Sequence, residues 1–64
     1  DISVLNDWNC PKLKKINLKG CTIKELGNLN LQSIEEIDLS ANKIKDISVI
    51  NGWKCPNIKK VILN

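Results

Sequence analysis

The chain has 64 residues, a formal net charge of +3, no His and a hydrophobic fraction of 42%. A chain this short holds one small domain, and no apolar run approaches the roughly 20 residues that a membrane-spanning helix needs. All the positive charge comes from Lys. The absence of Arg argues against a nucleic-acid binder, and the absence of both His and a Cys-x-x-Cys pair excludes the usual zinc sites.

One stretch of sequence occurs twice. Residues 1–19 read DISVLNDWNCPKLKKINLK and residues 46–64 read DISVINGWKCPNIKKVILN, so most positions are identical or conservatively changed. We call these stretches the first copy and the second copy, and we call residues 20–45 the middle segment. A sequence that recurs at a fixed spacing indicates stacked structural repeats.

The first predicted element is a short helical segment between residues 2 and 11. Leu5 and Trp8 are three positions apart and share one helical face, and Pro11 is expected to stop the helix. We expect Trp8 to fill the core on the convex side; the alternative is an exposed anchor for a partner. A strand follows, because residues 13–23, LKKINLKGCTI, fit the pattern L-x-x-L-x-L-x-x-N/C-x-L.

The middle segment is expected to hold a strand and is not predicted to hold a helix. Residues 24–33 are too polar and too rich in glycine for a helix, and residues 34–44, IEEIDLSANKI, repeat the strand pattern without a miss. Asn42 takes the turn position, where its amide can bond to backbone groups that the turn leaves unpaired. Cys21 holds the equivalent place, where a structural thiol is a better interpretation than a reactive one.

The second copy repeats the first. Ser48 is a candidate N-cap, Ile50 and Trp53 share a helical face, and Pro56 is expected to stop the helix. We expect one or two helical turns with Trp53 in the core. Residues 58–63, IKKVIL, begin the strand pattern a third time.

These motifs resemble the leucine-rich-repeat family over essentially the whole chain. Residues 42–48 look like the short repeats of phosphatase-regulator and internalin types, and residues 10–21 are similar to the cysteine-containing repeats of F-box proteins. The resemblance implies an α/β repeat fold: a solenoid fragment with a short parallel β-sheet on the concave face and turns or short helices on the convex side. It also implies a binding role.

The motif assigns an inward side chain to its first, fourth, sixth and eleventh positions. We divide the single 1–64 segment into a partial repeat 1–12, repeats 13–33 and 34–57, and a partial repeat 58–64. One layer cannot offset the entropy of ordering its own residues, so the layers must stack. The inward positions are Leu13, Ile16, Leu18, Ile23, Ile34, Ile37, Leu39, Ile44, Ile58, Val61 and Leu63.

Three cysteines are predicted to stay unpaired. Cys10 and Cys55 lie two repeats apart, and with strands about 4.8 Å from one another they stand roughly 10 Å apart, beyond the reach of a disulfide. Cys21 lies on the opposite flank of the motif. Unpaired thiols fit a reducing compartment, so we expect an intracellular protein, cytoplasmic or nuclear.

The outward strand positions are the candidate partner-contact face. Across the strands, Lys15 is expected beside Glu36 and Glu36 beside Lys60, with a parallel row of Lys14, Glu35 and Lys59. The simpler interpretation is that opposite charges support the register; the alternative is a charged patch that recognises a partner. The face consists of Lys15, Asn17, Lys19, Glu36, Asp38, Ser40, Lys60, Ile62 and Asn64.

The predicted function is a protein–protein interaction scaffold, part of a longer leucine-rich-repeat protein. The alternatives are a substrate-recognition segment of a ubiquitin-ligase adaptor and a minimal or designed solenoid with a purely structural role. We expect no catalysis, since no His is present to activate a nucleophile, and no cofactor or metal. The partner is expected to be another protein, with no nucleic acid, no membrane, and possible self-association through uncapped solenoid ends.

Overall fold

One parallel sheet of three short strands organises the chain, for which a computed structural model describes residues 1–64. The strands follow one another across the sheet in chain order, and Ile16 pairs with Ile37, which pairs with Val61. The elements in chain order are a 3₁₀ helix (Ser3–Asp7), strand β1 (Lys15–Asn17), strand β2 (Glu36–Asp38), a second 3₁₀ helix (Ser48–Gly52) and strand β3 (Lys60–Ile62).

The sheet bears out the repeat pattern. Each strand lies within one predicted motif, and the registers match motif position to motif position. A parallel pair needs a long crossover to return the chain to the same end of the sheet, and here the crossovers are mostly irregular backbone with at most one 3₁₀ helix. Residues 24–33 contain no helix, as predicted. The exact repeat boundaries stay a prediction.

The core is centred on the middle segment, which has a neighbour on each side. Five of its side chains are almost completely buried, and burial of this kind contributes about 25 cal/mol per Å² of apolar surface. The five are Leu26, Leu29, Ile34, Ile37 and Leu39, joined in one cluster by Ile2, Leu5, Ile16 and Cys55.

The predicted inward positions are buried or half-buried with one exception. Ile16, Ile34, Ile37 and Leu39 are buried, and Leu13, Leu18, Ile23, Ile44, Ile58 and Val61 are half-buried against the same cluster. Leu63 is 37% exposed. It follows β3 at the edge of the sheet, where no further strand covers it.

The two predicted helical turns form as 3₁₀ helices, but Ser48 does not cap the second one. Asp46 Oδ1 accepts hydrogen bonds from the Ser48 amide at 2.9 Å and the Ser48 hydroxyl at 2.6 Å. Short acidic side chains favour this local turn two residues ahead of themselves. In the first copy, Asp1 accepts a 2.7 Å bond from the amide of Ser3 in the same way.

The prolines do not end these helices. Each helix is followed by a Trp with an extended backbone, several residues before the proline. Pro11 and Pro56 lie instead in the turns that lead into the strands. The fixed φ of proline suits such a turn, in which the Leu13 amide donates to the Cys10 carbonyl at 3.0 Å.

Asn42 occupies the turn position as predicted. Its amide nitrogen donates to the carbonyls of Leu18, Leu39 and Ser40 at 2.9–3.1 Å, and its oxygen accepts from the Ile23 amide at 2.9 Å. Four backbone groups from two repeats are therefore satisfied by one side chain. Cys21 holds the equivalent place but is exposed, and its thiol lies 3.8 Å from a single carbonyl.

The two tryptophans have different environments. Trp53 is half-buried and its indole Nε1 donates to the Gly27 carbonyl at 2.9 Å, so its predicted core position is confirmed. Trp8 is 52% exposed, and the prediction that it fills the core is wrong. Trp53 packs on the middle segment, which precedes it in the stack. The corresponding side of Trp8 has no repeat of the structure against it.

None of the three cysteines forms a disulfide. Cys10 and Cys21 are exposed and Cys55 is buried. Neither 3₁₀ helix has the length and apolar composition that a membrane crossing would require.

Candidate protein-binding face of the sheet

The outward side of the sheet is built from rows of side chains that run across the strands. Lys15 pairs in register with Glu36, and Glu36 pairs with Lys60. Neighbouring strands lie about 4.8 Å apart, so three charged side chains stand side by side in this row. The predicted arrangement of the row is therefore confirmed.

Ion pairs form in the row that precedes the strands. Lys14 Nζ lies 2.9 Å from Glu35 Oε2, and Lys59 Nζ lies 3.7 Å from Glu35 Oε1. The hydrogen bond from Lys14 lowers the pKa of Glu35 below its ordinary value, and the charges of Lys14 and Lys59 lower it further. All three side chains are at least one-third exposed, so solvent screens the pairs and each contributes little to stability.

The Lys15, Glu36 and Lys60 side chains form no ion pair. No nitrogen of either lysine lies within 4.0 Å of the Glu36 carboxylate, although the three residues are in register. Lys15 and Lys60 are exposed and Glu36 is half-buried. We call these three residues the charged row. Its charges alternate in sign across the sheet and are available to a ligand.

Asp38 and Ser40 are held by each other. The Ser40 amide and hydroxyl both donate to Asp38 Oδ1, at 2.9 and 2.6 Å. These bonds lower the pKa of Asp38, with smaller contributions from the charges of Lys19 and Lys60. Ser40 is only 8% exposed. Its position in the strand pattern faces outward, but its hydroxyl is turned back to Asp38 and offers little contact surface.

The remaining members of the predicted face lie around the charged row. Asn17 and Lys19 are exposed on the first copy, where the Asn17 side chain accepts a 3.0 Å bond from the Lys19 amide. Ile62 is half-buried although its strand position faces outward, and Asn64 is exposed. Six of the nine predicted residues are paired in register in the strands, and Lys19, Ser40 and Asn64 follow the strands, with Ser40 buried. Their use as one contact face stays a prediction.

Side-chain amides link neighbouring repeats away from the sheet, which the sequence patterns did not reveal. Asn6 Nδ2 donates to the Asn28 carbonyl at 3.0 Å, and Asn6 Oδ1 accepts from the Asn30 amide at 2.8 Å. Asn57 Nδ2 donates to the Gln32 carbonyl. The surplus of Asn in the crossovers is the only signal that could have indicated these links.

Two open grooves accompany the crossovers. One of about 280 Å³ lies between the first copy and the middle segment, beside Trp8, Cys10 and Leu31. The other, of about 390 Å³, lies beside Lys24, Lys45 and Val49. Glu25 and Asp46 also line the second groove, so lysine and carboxylate side chains border it together.

The hydroxyl–carboxylate pairs serve backbone turns. Ser40 with Asp38 and Ser48 with Asp46 are local turns in which the carboxylate also binds a backbone amide. Their hydrogen bonds lower the pKa of both carboxylates, which makes them weaker bases. The geometry of the sheet face suits recognition by charge and shape.

Residues 11–52 match a family model described as leucine rich repeats (2 copies). The matched range covers more than half of the chain and includes both complete motifs, so the chain belongs to the leucine-rich-repeat family. No curated protein and no solved structure matches the chain. Leucine-rich-repeat domains generally mediate protein–protein interaction and are typically not enzymes.

Proposed function

We propose that the chain is a segment of a leucine-rich-repeat solenoid that serves as a scaffold and binds another protein through the outward, concave face of its sheet. The observation that carries the proposal is the charged row, Lys15, Glu36 and Lys60, which is held in register by three strands and has no ion pair. The 3₁₀ helices would lie on the convex side. No cofactor and no catalytic step belong to this proposal.

The charge distribution on the face favours a protein partner over a nucleic acid. The central strand and its lead-in carry Glu35, Glu36 and Asp38, which interrupt the lysines on either side. A polyanion would meet these carboxylates along the middle of the face. Sequence-independent binding of single strands also uses exposed aromatic side chains, and the nine residues of this face include none.

Glu36→Lys tests the binding face directly. The native chain and each variant are immobilised and used to capture the partner from a cell extract. Quantitative mass spectrometry then compares how much partner each protein recovers. We expect at least a tenfold loss with Glu36→Lys, because the charged row becomes uniformly positive. Asp38 is a poorer choice for substitution, since its carboxylate holds the turn at Ser40.

Glu25→Lys is the matched control. Glu25 is exposed, lies away from the sheet face, and forms no ion pair. It changes the net charge by the same amount and should leave capture unaltered. If Glu36→Lys folds normally by circular dichroism and still recovers the partner as well as Glu25→Lys does, the binding site lies elsewhere.

We also propose that the protein works in a reducing, intracellular compartment. Cys10 and Cys21 are exposed and unpaired, and such thiols persist where disulfide formation is disfavoured. Rapid alkylation of cells before lysis should label the exposed thiols of Cys10 and Cys21. Recovery of Cys10 or Cys21 in an intermolecular disulfide would contradict the proposal.

We further propose that the protein self-associates. Exposed apolar residues on the two copies that carry the edge strands support this proposal. Val4 and Trp8 are exposed on the first copy, and Ile47 and Leu63 on the second. Covering them would remove apolar surface from water. Sedimentation at two concentrations about tenfold apart should show a mass increase that Trp8→Lys reduces, whereas a monomer at the higher concentration would refute end-to-end contact.

A further inference from the structure

We propose that the partner element is an α-helix laid across the three strands, carrying an acidic, a basic and a second acidic residue at positions i, i+4 and i+7. The inference rests on the proposed function of the sheet face and goes beyond it by stating what the face binds. It combines the spacing of the charged row with the signs of its charges.

The spacing of the row matches one helical turn per strand. Neighbouring strands are about 4.8 Å apart, so Lys15 and Lys60 are separated by about 10 Å across β2. An α-helix rises about 5.4 Å per turn and about 10.5 Å over seven residues. A helix perpendicular to the strands therefore places one side chain per turn over each member of the row.

An extended peptide fits the row less well. Its same-side residues are about 6.6 Å apart, so two successive side chains overshoot the strand spacing and a third lies beyond Lys60. Adding a strand would require an exposed sheet edge, and the charged row lies on the face of the sheet. The helical period is the one that keeps step with the strands.

The charges define the order of the residues on the helix. The two lysines occupy the same position of the two copies, and the middle segment places Glu36 between them. A matching helix must reverse each sign, which means acidic, basic, acidic. Glu35 does not compete for the central base, because Lys14 and Lys59 already neutralise it.

The row beside the charged row adds an apolar contact. Asn17, Asp38 and Ile62 are in register one pleat further along the strands. Asp38 is engaged by Ser40, so its carboxylate is not free for the partner. Half-buried Ile62 offers apolar surface beneath one end of the helix, next to the residue that faces Lys60.

Two synthetic helical peptides of about 20 residues, long enough to form a helix, test the proposal. The matched peptide carries Glu, Lys and Glu at i, i+4 and i+7, and the reversed peptide carries Lys, Glu and Lys there, with all other residues identical. Binding is measured by fluorescence anisotropy at low and high salt. We expect the matched peptide to bind about tenfold more tightly, with a preference that shrinks as salt screens the charges.

Binding of the same two peptides to a charge-swapped variant of the protein tests whether the charged row sets the preference. The triple variant Lys15→Glu, Glu36→Lys and Lys60→Glu should invert the preference, so that the reversed peptide binds more tightly by a similar factor. The control variant Lys24→Glu, Glu25→Lys and Lys45→Glu makes the same three charge changes at exposed positions away from the face. It should retain the preference of the native chain.

Three results would overturn the helix proposal. They are equal or absent binding of both peptides to the native chain, a preference that the charge swap does not invert, and tighter binding of heparin than of the matched peptide. The first two leave the proposed function standing if Glu36→Lys still abolishes capture of the natural partner. If Glu36→Lys has no effect on capture either, the proposed function fails as well.

Discussion

The first and second copies have similar sequences and the same local structure. Each forms a 3₁₀ helix at the same position, Ser3–Asp7 and Ser48–Gly52, and each forms a three-residue strand, Lys15–Asn17 and Lys60–Ile62. The tryptophan that follows each helix has an extended backbone in both copies. The same local sequence therefore adopts the same local conformation in both copies.

Burial differs between the copies at equivalent positions. Ile2 is 6% exposed and Ile47 is 54% exposed. The order is opposite for the cysteines, because Cys10 is exposed and Cys55 is buried. The middle segment lies after the first copy and before the second, so it covers opposite sides of the two. Which side chains form the core is decided by the neighbouring repeat.

We expect the largest difference in stability between equivalent substitutions in the two copies at Ile2 and Ile47. Ile2→Ala removes a side chain from the core cluster and should lower the free energy of unfolding by about 2–4 kcal/mol. Ile47→Ala changes an exposed side chain and should cost less than about 0.5 kcal/mol. Urea denaturation followed by circular dichroism measures both, and Ile2→Val is the milder substitute if Ile2→Ala does not fold. Similar losses in the two alanine variants would show that Ile47 is also covered.

Substitutions at the two turn positions, Asn42 and Cys21, should differ almost as much in their effect on stability. Asn42→Ala leaves several backbone groups without partners and should destabilise the fold by about 2–3 kcal/mol. Cys21→Ala removes one long contact to the Lys19 carbonyl and should be close to neutral. Thermal unfolding at a fixed protein concentration compares the two. An unchanged melting temperature for Asn42→Ala would mean that water replaces its hydrogen bonds at no cost.

The tryptophans should show a smaller difference. Trp53→Phe keeps an aromatic ring but deletes the hydrogen bond to the Gly27 carbonyl, so we expect a loss of about 1 kcal/mol. Trp8→Phe has no such bond to lose. The same two variants report on environment by fluorescence: the remaining Trp8 should be quenched by iodide more readily than the remaining Trp53. Equal quenching would place both rings in the same surroundings.

The smallest effect concerns the lysine pair that flanks Glu35. Lys14 and Lys59 are equivalent in the two copies, but Lys14 contacts the carboxylate more closely and contributes most to its lowered pKa. Lys14→Ala should therefore raise the pKa of Glu35 more than Lys59→Ala does, as measured by NMR titration of its carboxyl carbon. A larger rise with Lys59→Ala would reverse the assignment.

The lowered pKa of Glu35 should make the fold less stable at low pH. Since folding lowers the pKa of Glu35, the ionised carboxylate stabilises the fold above the unfolded pKa, and that contribution disappears as the pH falls through the folded pKa. Glu35→Gln should remove this part of the acid destabilisation. A pH profile of urea unfolding that is the same for both proteins would contradict it.

The motif was enough to predict the family, the parallel sheet, the strand register and the turn role of Asn42. Features that depend on competition between side chains were not predictable. Ser48 matched the preference for a helix cap, yet Asp46 is the better acceptor two residues earlier. Ion pairing at Lys14 in place of Lys15 depends on side-chain geometry that a strand pattern does not describe.

The tryptophans show where periodicity alone fails. Trp8 and Trp53 have the same spacing from the preceding apolar residue, so the pattern assigns both to the core. A pattern along one chain segment contains no information on which side the next repeat lies. The binding partner could not be predicted either. The outward charges can be explained equally well by a partner or by their support of the strand register.

Alkylation of the equivalent cysteines tests most directly whether neighbouring repeats decide burial. The native protein is pulsed with a maleimide reagent, and peptide mass spectrometry gives a separate rate for each thiol. We expect fast modification of Cys10 and slow modification of Cys55, with the difference abolished in urea. Equal rates at Cys10 and Cys55 under native conditions would contradict it.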